Sequence, residues 1–160
     1  MDITFNTPAT AELLKATDII PRTFEKNMRL GMDRSVEAVK DMAAVRHRFE
    51  TRNGELVKSI TAETTFSDES TVKGRVYLDE SIAPYGKYVH EGTRPHDIFP
   101  KDKSYLRFVG RNGEFVFRKK VHHPGTRADM FIREAGMLRR EYINEVFAAY
   151  AMRGVKEAGL

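Results

Sequence analysis

Phe24, Met28, Met32, Ser35, Val39, Met42 and Phe49 recur at steps of three, four or their sum, the spacing that puts side chains on one face of an α-helix. This pattern predicts a long helix starting at Pro21, which suits a first turn because no N–H is needed there, and running to about Thr51. Asn53-Gly54 then supplies residues that tolerate the left-handed conformation at a helix end. Gly31 in the interior costs roughly 1 kcal/mol relative to alanine, so it should mark a bend or a close crossing of another element. Upstream, Asn6-Thr7-Pro8 reads as a turn and Ala9 to Lys15 as a short helix capped by Thr7, so residues 1–20 form an N-terminal arm or short helix.

After Gly54 the period drops to two. Ile60, Ala62, Thr64 and Phe66 alternate with polar neighbours, Ser67 to Ser70 interrupts, and Val72, Gly74, Val76 and Leu78 alternate again, which predicts an antiparallel strand pair with one apolar face. Ser81 to Glu91 reads as a short helical or irregular connection, and Gly92-Thr93-Arg94-Pro95 as a turn in which Gly92 takes positive φ. Leu106 and Phe108 are then expected to face Phe115 and Phe117 across Arg111-Asn112-Gly113-Glu114, since Asn-Gly between apolar runs signals a hairpin.

The last segment carries Phe131, Ala135, Leu138, Tyr142, Val146 and Ala149 or Tyr150 at helical spacing. It predicts one amphipathic helix capped by Thr126 or Asp129, with Phe131 and Leu138 in the core, Arg139 and Arg140 outside, and Gly154 at its end. The whole is an α+β fold over a single domain, 1–160. A long N-terminal helix and a C-terminal helix pack on an antiparallel sheet, and a hairpin arm over 94–127 protrudes. His90-Glu91-Gly92-Thr93-Arg94 is echoed by His123-Pro124-Gly125-Thr126-Arg127, which reads as two similar turns flanking that arm.

Charge sharpens the picture of the arm. Residues 1–80 hold 12 basic and 14 acidic side chains, whereas residues 94–127 alone hold nine basic and three acidic, a local excess of six positive charges. A polyanion or an acidic protein surface is the partner such a stretch selects; a solvated arm is the plain alternative. Interleaved aromatics (Phe99, Tyr105, Phe108, Phe115, Phe117) offer stacking surfaces, but their alternation points most of them into a core or a neighbour. The absence of cysteine from all 160 residues excludes disulfide frameworks, thiolate metal sites and cysteine nucleophiles. The opening residues lack a secretory pattern and no run is long enough to span a bilayer, so the expectation is a soluble chain that does not use a membrane.

His90, His96, His122 and His123 invite a metal-dependent nuclease, but His122 and His123 diverge on an extended segment and no His-Glu-x-x-His pattern occurs. No Gly-x-Ser-x-Gly elbow and no phosphate-binding loop are present. The expectation is a protein without catalytic residues, metal or cofactor.

The order long helix, Thr51-Arg52-Asn53-Gly54-Glu55-Leu56-Val57-Lys58-Ser59-Ile60, strands, then Tyr85-Gly86-Lys87-Tyr88-Val89-His90-Glu91-Gly92-Thr93 resembles the minor tail component family of tailed bacteriophages, whose members act in head–tail joining and tail completion. Residues 21 to 150 follow the family's order. The departures are residues inserted between Thr51 and Gly54, His90 before Glu91, and Ala128-Asp129-Met130-Phe131 in place of a Pro-Phe segment.

The resemblance implies a non-enzymatic subunit of the virion neck or tail, assembled in the host cytoplasm. It would form a ring, sixfold by the family's pattern, that meets tail-tube and connector proteins around a channel crossed by duplex DNA. Tyr85, Tyr88, Val89, Gly92, Thr93, Phe99 and Phe131 are the residues assigned on this basis to a neighbouring subunit. Lys101, Lys103, Arg107, Arg111, Arg118, Lys119 and Lys120 are assigned to DNA or an acidic partner. A DNA-binding module built on the arm is the first alternative, the histidine-metal nuclease the second.

Overall fold

The side chains that helix α1, Pro21–Val45, turns inward are those its spacing selects: Phe24, Met28, Met32, Ser35 and Val39 are all buried. Each large apolar side chain removed from water in this way contributes about 1.5–3 kcal/mol. The computed structural model describes residues 3–6, 21–51, 53–68 and 71–157, so the turn at 6–8 and the helix at 9–15 lie largely outside the described residues.

Helix α1 stops at Val45, short of the expected Thr51. The backbone N–H groups of Arg48 and Phe49, which a continuing helix would direct to its own carbonyls, instead donate to Asp129 Oδ2 at 2.6 and 3.0 Å. Phe49 thereby stacks on His47 and meets the edge of Phe131 at a centroid distance of 5.1 Å. Gly54 does adopt the left-handed conformation, with φ 77°, but it precedes the short helix α2, Glu55–Lys58, and does not end α1.

Three antiparallel strands, β1 (Ile3–Asn6), β2 (Ile60–Asp68) and β3 (Thr71–Leu78), form a sheet in the order β1-β3-β2. The predicted β2–β3 pair is present with Ile60 opposite Leu78 and Ala62 opposite Val76. Strand β1, where an arm or short helix was expected, pairs Ile3 with Val76 and so places β3 at the centre. On β3, Val72, Gly74, Val76 and Leu78 are buried under α1. Gly74 allows the approach: a Cβ there would collide with Met32 Sδ and Val36 Cγ1. The opposite face is polar, with the Arg75 guanidinium 4.3 Å from the Tyr77 ring centroid and 3.6 Å from Glu63.

The C-terminal segment is two helices, α4 (Phe131–Leu138) and α5 (Arg140–Glu157), with Arg139 at φ −93°, ψ 2° between them. The break rotates the apolar stripe. Helix α4 buries Phe131, Ile132 and Ala135, whereas α5 buries Ile143, Val146 and Gly154, so Leu138 is left 56% exposed and is not a core residue. Arg139 is half-buried, not external. Neither expected cap operates: Met130 occupies the N-cap position, and the Asp129 carboxylate is committed to Arg48 and Phe49.

Helices α1 and α5 run antiparallel and touch at two glycines. A Cβ on Gly31 would lie 3.3 Å from Tyr150 Cβ, and one on Gly154 would lie 3.0 Å from the Phe24 ring. Gly31 is thus a close crossing, as anticipated. Gly154 is the second crossing, with α5 continuing past it to Glu157 because the packing against Phe24 outweighs its low helix propensity. Asn27 locks the same end, donating through Nδ2 to Glu157 Oε2 at 2.9 Å. Glu157 also accepts from Arg153, and these two hydrogen bonds hold its carboxyl below the usual carboxylate range.

Candidate functional site

The short helix α3, Gly86–Glu91, leads into Gly92, whose φ of 75° meets the predicted requirement. Its close packing starts at Gly86, where a Cβ would sit 3.0 Å from Leu56 Cδ1. The Asn53–Ile60 and Tyr85–Thr93 blocks therefore meet, and they line a cleft of about 440 Å³ with Phe49, Gly54, Leu56, Tyr85 and Val89 on its walls.

Beyond Gly92 the arm begins with a reciprocal contact. Thr93 and Thr126 form an antiparallel bridge, each N–H donating to the other's carbonyl at 2.9 and 3.1 Å, and Thr126 N–H also reaches Thr93 Oγ1 at 3.0 Å. The two Gly-Thr-Arg echoes are therefore the two sides of one clasp. Each glycine is at positive φ, and a Cβ on either would strike the opposing strand, Gly92 against the Thr126 carbonyl and Gly125 against the Thr93 carbonyl.

Above the clasp, β4 (His96–Ile98) pairs with β7 (Val121–His123), and β5 (Leu106–Val109) with β6 (Phe115–Arg118). The arm is two short ladders in place of one ribbon, because residues 99–105 separate the strands on one side and only residues 119–120 on the other. The hairpin turn also differs from the expectation. Gly113 N–H donates to Gly110 O and Gly110 N–H to Glu114 O, so three residues, 111–113, form the loop, with Gly113 at φ 80°. The register consequently shifts by one: Leu106 lies opposite Arg118 and Phe108 opposite Val116, while Phe115 and Phe117 lie opposite Val109 and Arg107.

The histidines are divided by this geometry. His96 and His123 stack across β4 and β7 with centroids 5.0 Å apart, while on the other face His122 Nδ1 lies 2.9 Å from Asp97 Oδ1. Lys120 Nζ holds the second Asp97 oxygen at 2.7 Å, and the two partners keep the Asp97 carboxyl below its ordinary range, Lys120 contributing more. His90 is elsewhere: it is fully buried, its ring meets Phe131 edge-on at 5.1 Å, neither ring nitrogen has a hydrogen-bond partner, and burial lowers its pKa. Among the described residues no group of three or more His, Asp and Glu side chains is placed to hold a metal ion.

Of the residues assigned to a neighbouring subunit, Tyr85, Tyr88 and Phe99 are exposed, and Val89, Gly92 and Thr93 are partly buried. Phe131 is a correction: at 0% exposure it is packed by Phe49 and His90 and belongs to the core, because it opens α4 on the face that meets α1. The basic set Lys101, Lys103, Arg107, Arg111, Arg118, Lys119 and Lys120 is exposed along the arm. Four of its members have internal partners: Lys120 on Asp97, Arg107 over the Phe115 ring at 3.7 Å, Lys119 over the Tyr105 ring at 5.9 Å, and Arg118, whose Nη1 donates to the Phe117 carbonyl at 3.0 Å.

The aromatics of the arm do not enter the chain's own core. Phe99, Val109, Phe115 and Phe117 each leave more than half of their surface in solvent, and β5 and β6 pack chiefly on each other. The Asp97–Lys120–His122 cluster escaped sequence reasoning, although a clasp at Thr93 and Thr126 puts Asp97 opposite His122 by simple counting. Comparison with protein-family models, curated proteins and solved structures finds no match to this chain. Among the described residues no helix is long and apolar enough to cross a membrane.

Proposed function

We propose that the chain is a structural, non-enzymatic component of a tailed-phage virion, a head–tail joining or tail completion subunit that oligomerises into a ring through its arm. The observation that carries this reading is the exposure of Phe99, Val109, Phe115 and Phe117 on a clasped, two-ladder arm. Several large apolar side chains left in solvent on one projecting element are characteristic of an interaction surface. The block order in residues 21–150 points the assembly toward the phage tail, with tail-tube and connector proteins as its other neighbours. Light scattering behind size exclusion, together with a search for the polypeptide in purified tailed particles, tests the proposal. An oligomer that is incorporated into particles is expected. A monomer absent from particles overturns it.

A second use of the same arm is contact with duplex DNA in the channel. Lys101, Lys103, Arg111 and Lys119 are exposed and make no ion pair among the described residues. Binding of this kind would fall steeply with salt, each phosphate contact contributing about 0.9 to the slope of log K against log salt. Neutralising Lys119 should reduce that slope. No binding to duplex DNA at low salt removes this use.

A further inference from the structure

The outer face of the last two helices carries a second unpartnered surface. Met137, Leu138 and Met152 are 68%, 56% and 70% exposed, large apolar side chains standing in water on regular helix. Between them lie Glu141 and Glu145, also exposed. Arg139 N–H closes the ladder of α4 on Ala135 O, and the Arg139 carbonyl opens that of α5 by accepting from Ile143 N–H, so Met137 and Leu138 stand immediately before the acidic face of α5. Glu141, Glu145 and Met152 share the face of α5 opposite buried Ile143 and Val146, a stretch of about 16 Å at 1.5 Å per residue, with Met137 and Leu138 at its α4 end. Two carboxylates four residues apart repel each other, and neither has an ion-pair partner among the described residues. The stripe is apolar at its ends and negative in its middle.

The hairpin has the complementary character. Arg107, Val109, Phe115 and Phe117 share one of its faces, and the Arg107 guanidinium is held flat over Phe115. A strand of four residues is about 13 Å long at 3.3 Å per residue, which fits within the helical stripe. Both surfaces belong to the same chain but to elements with no extensive packing between them.

We propose that the hairpin of one copy docks on the α4–α5 stripe of a second copy, Phe117 covering one of the exposed methionine ends and Arg107 entering between Glu141 and Glu145. This rests on the self-association proposed above and names its recipient surface. A second copy fits both halves at once: duplex DNA would cover neither the aromatic face nor the acidic stripe. Because the two halves differ, the contact is heterologous, and each copy offers a free half to the next, as a ring requires.

The cysteine-free sequence makes the test direct. One preparation carries Phe117→Cys, others Met137→Cys or Met152→Cys, and a control carries Arg34→Cys on the outer side of α1. On mixing under mild oxidant, a disulfide-linked dimer is expected between the hairpin variant and at least one stripe variant, and not with the control. Independently, Arg107→Glu and the pair Glu141→Arg, Glu145→Arg should each weaken self-association about tenfold or more, and one chain carrying all three should recover it; circular dichroism confirms that these exposed positions leave the fold intact. Cross-linking no better than the control, or association indifferent to the charge reversals, overturns the docking. If the protein still oligomerises and enters particles in that case, only the docking fails; a monomer missing from particles sinks the assembly reading as well.

Discussion

Thr93 and Thr126 exchange backbone hydrogen bonds at 2.9 and 3.1 Å across 33 residues of chain, closing the base of the arm. The glycines beside them make the closure possible, since each sits at positive φ with its missing Cβ against the opposing carbonyl. Replacing Gly125 by valine introduces both a strained backbone and a collision. Strain alone costs about 1–3 kcal/mol. The clasp should open while the helical core persists, seen as faster hydrogen exchange and proteolysis confined to residues 94–127; unchanged exchange at the arm would show that the clasp is not held this way.

Phe131 and Leu138 have opposite fates on one short helix. Phe131→Ala should cost about 3–5 kcal/mol and Leu138→Ala less than about 0.5 kcal/mol, measured by urea unfolding. Equal losses would contradict the rotation of the apolar stripe at Arg139.

The crossing of α1 and α5 depends on the absence of a side chain at Gly154. Helix propensity favours Gly154→Ala by about 1 kcal/mol, but the new methyl would press on the Phe24 ring and its Cα. Destabilisation by about 1–3 kcal/mol is expected, in calorimetric or denaturant melts. A stabilised variant would mean that the helices separate freely there.

His90 is buried, without a hydrogen-bond partner, and desolvation lowers its pKa from 6.5. Above that value both folded and unfolded chains hold a neutral ring, so it adds no pH dependence. As the pH falls below 6.5 the unfolded chain takes up the proton first, and stability is lost progressively down to the folded pKa. His90→Phe should flatten the stability profile between about pH 7 and pH 5. The lowered carboxyl groups of Asp79, Asp97 and Glu157 act in a more acidic range, where their own contribution is lost on protonation. An identical profile in the His90→Phe variant would remove His90 from the account.

Asp129 substitutes for the next turn of α1 by accepting the Arg48 and Phe49 N–H groups. Asp129→Ala leaves two donors unsatisfied and should cost about 1–3 kcal/mol or more. Loss of the Phe49–Phe131 contact, visible in side-chain NMR shifts, should accompany it. A variant as stable as the parent would assign the end of α1 to another cause.

The sequence by itself determined the buried face of α1, the β2–β3 pair, the Asn-Gly hairpin, the positive φ of Gly92 and the α+β class, because each follows from a local period or a single residue's backbone preference. Tertiary structure alone decided where α1 stops, since the deciding carboxylate is 80 residues away from Phe49. It also decided the break at Arg139, the addition of β1 to β3, the one-residue register of the hairpin and the union of the two Gly-Thr-Arg corners. The aromatics of the arm show the same division. Their alternation on strands was legible, but whether a strand's apolar face meets its own core or water depends on where the rest of the chain lies. That position is fixed by packing between distant segments, which no local pattern encodes.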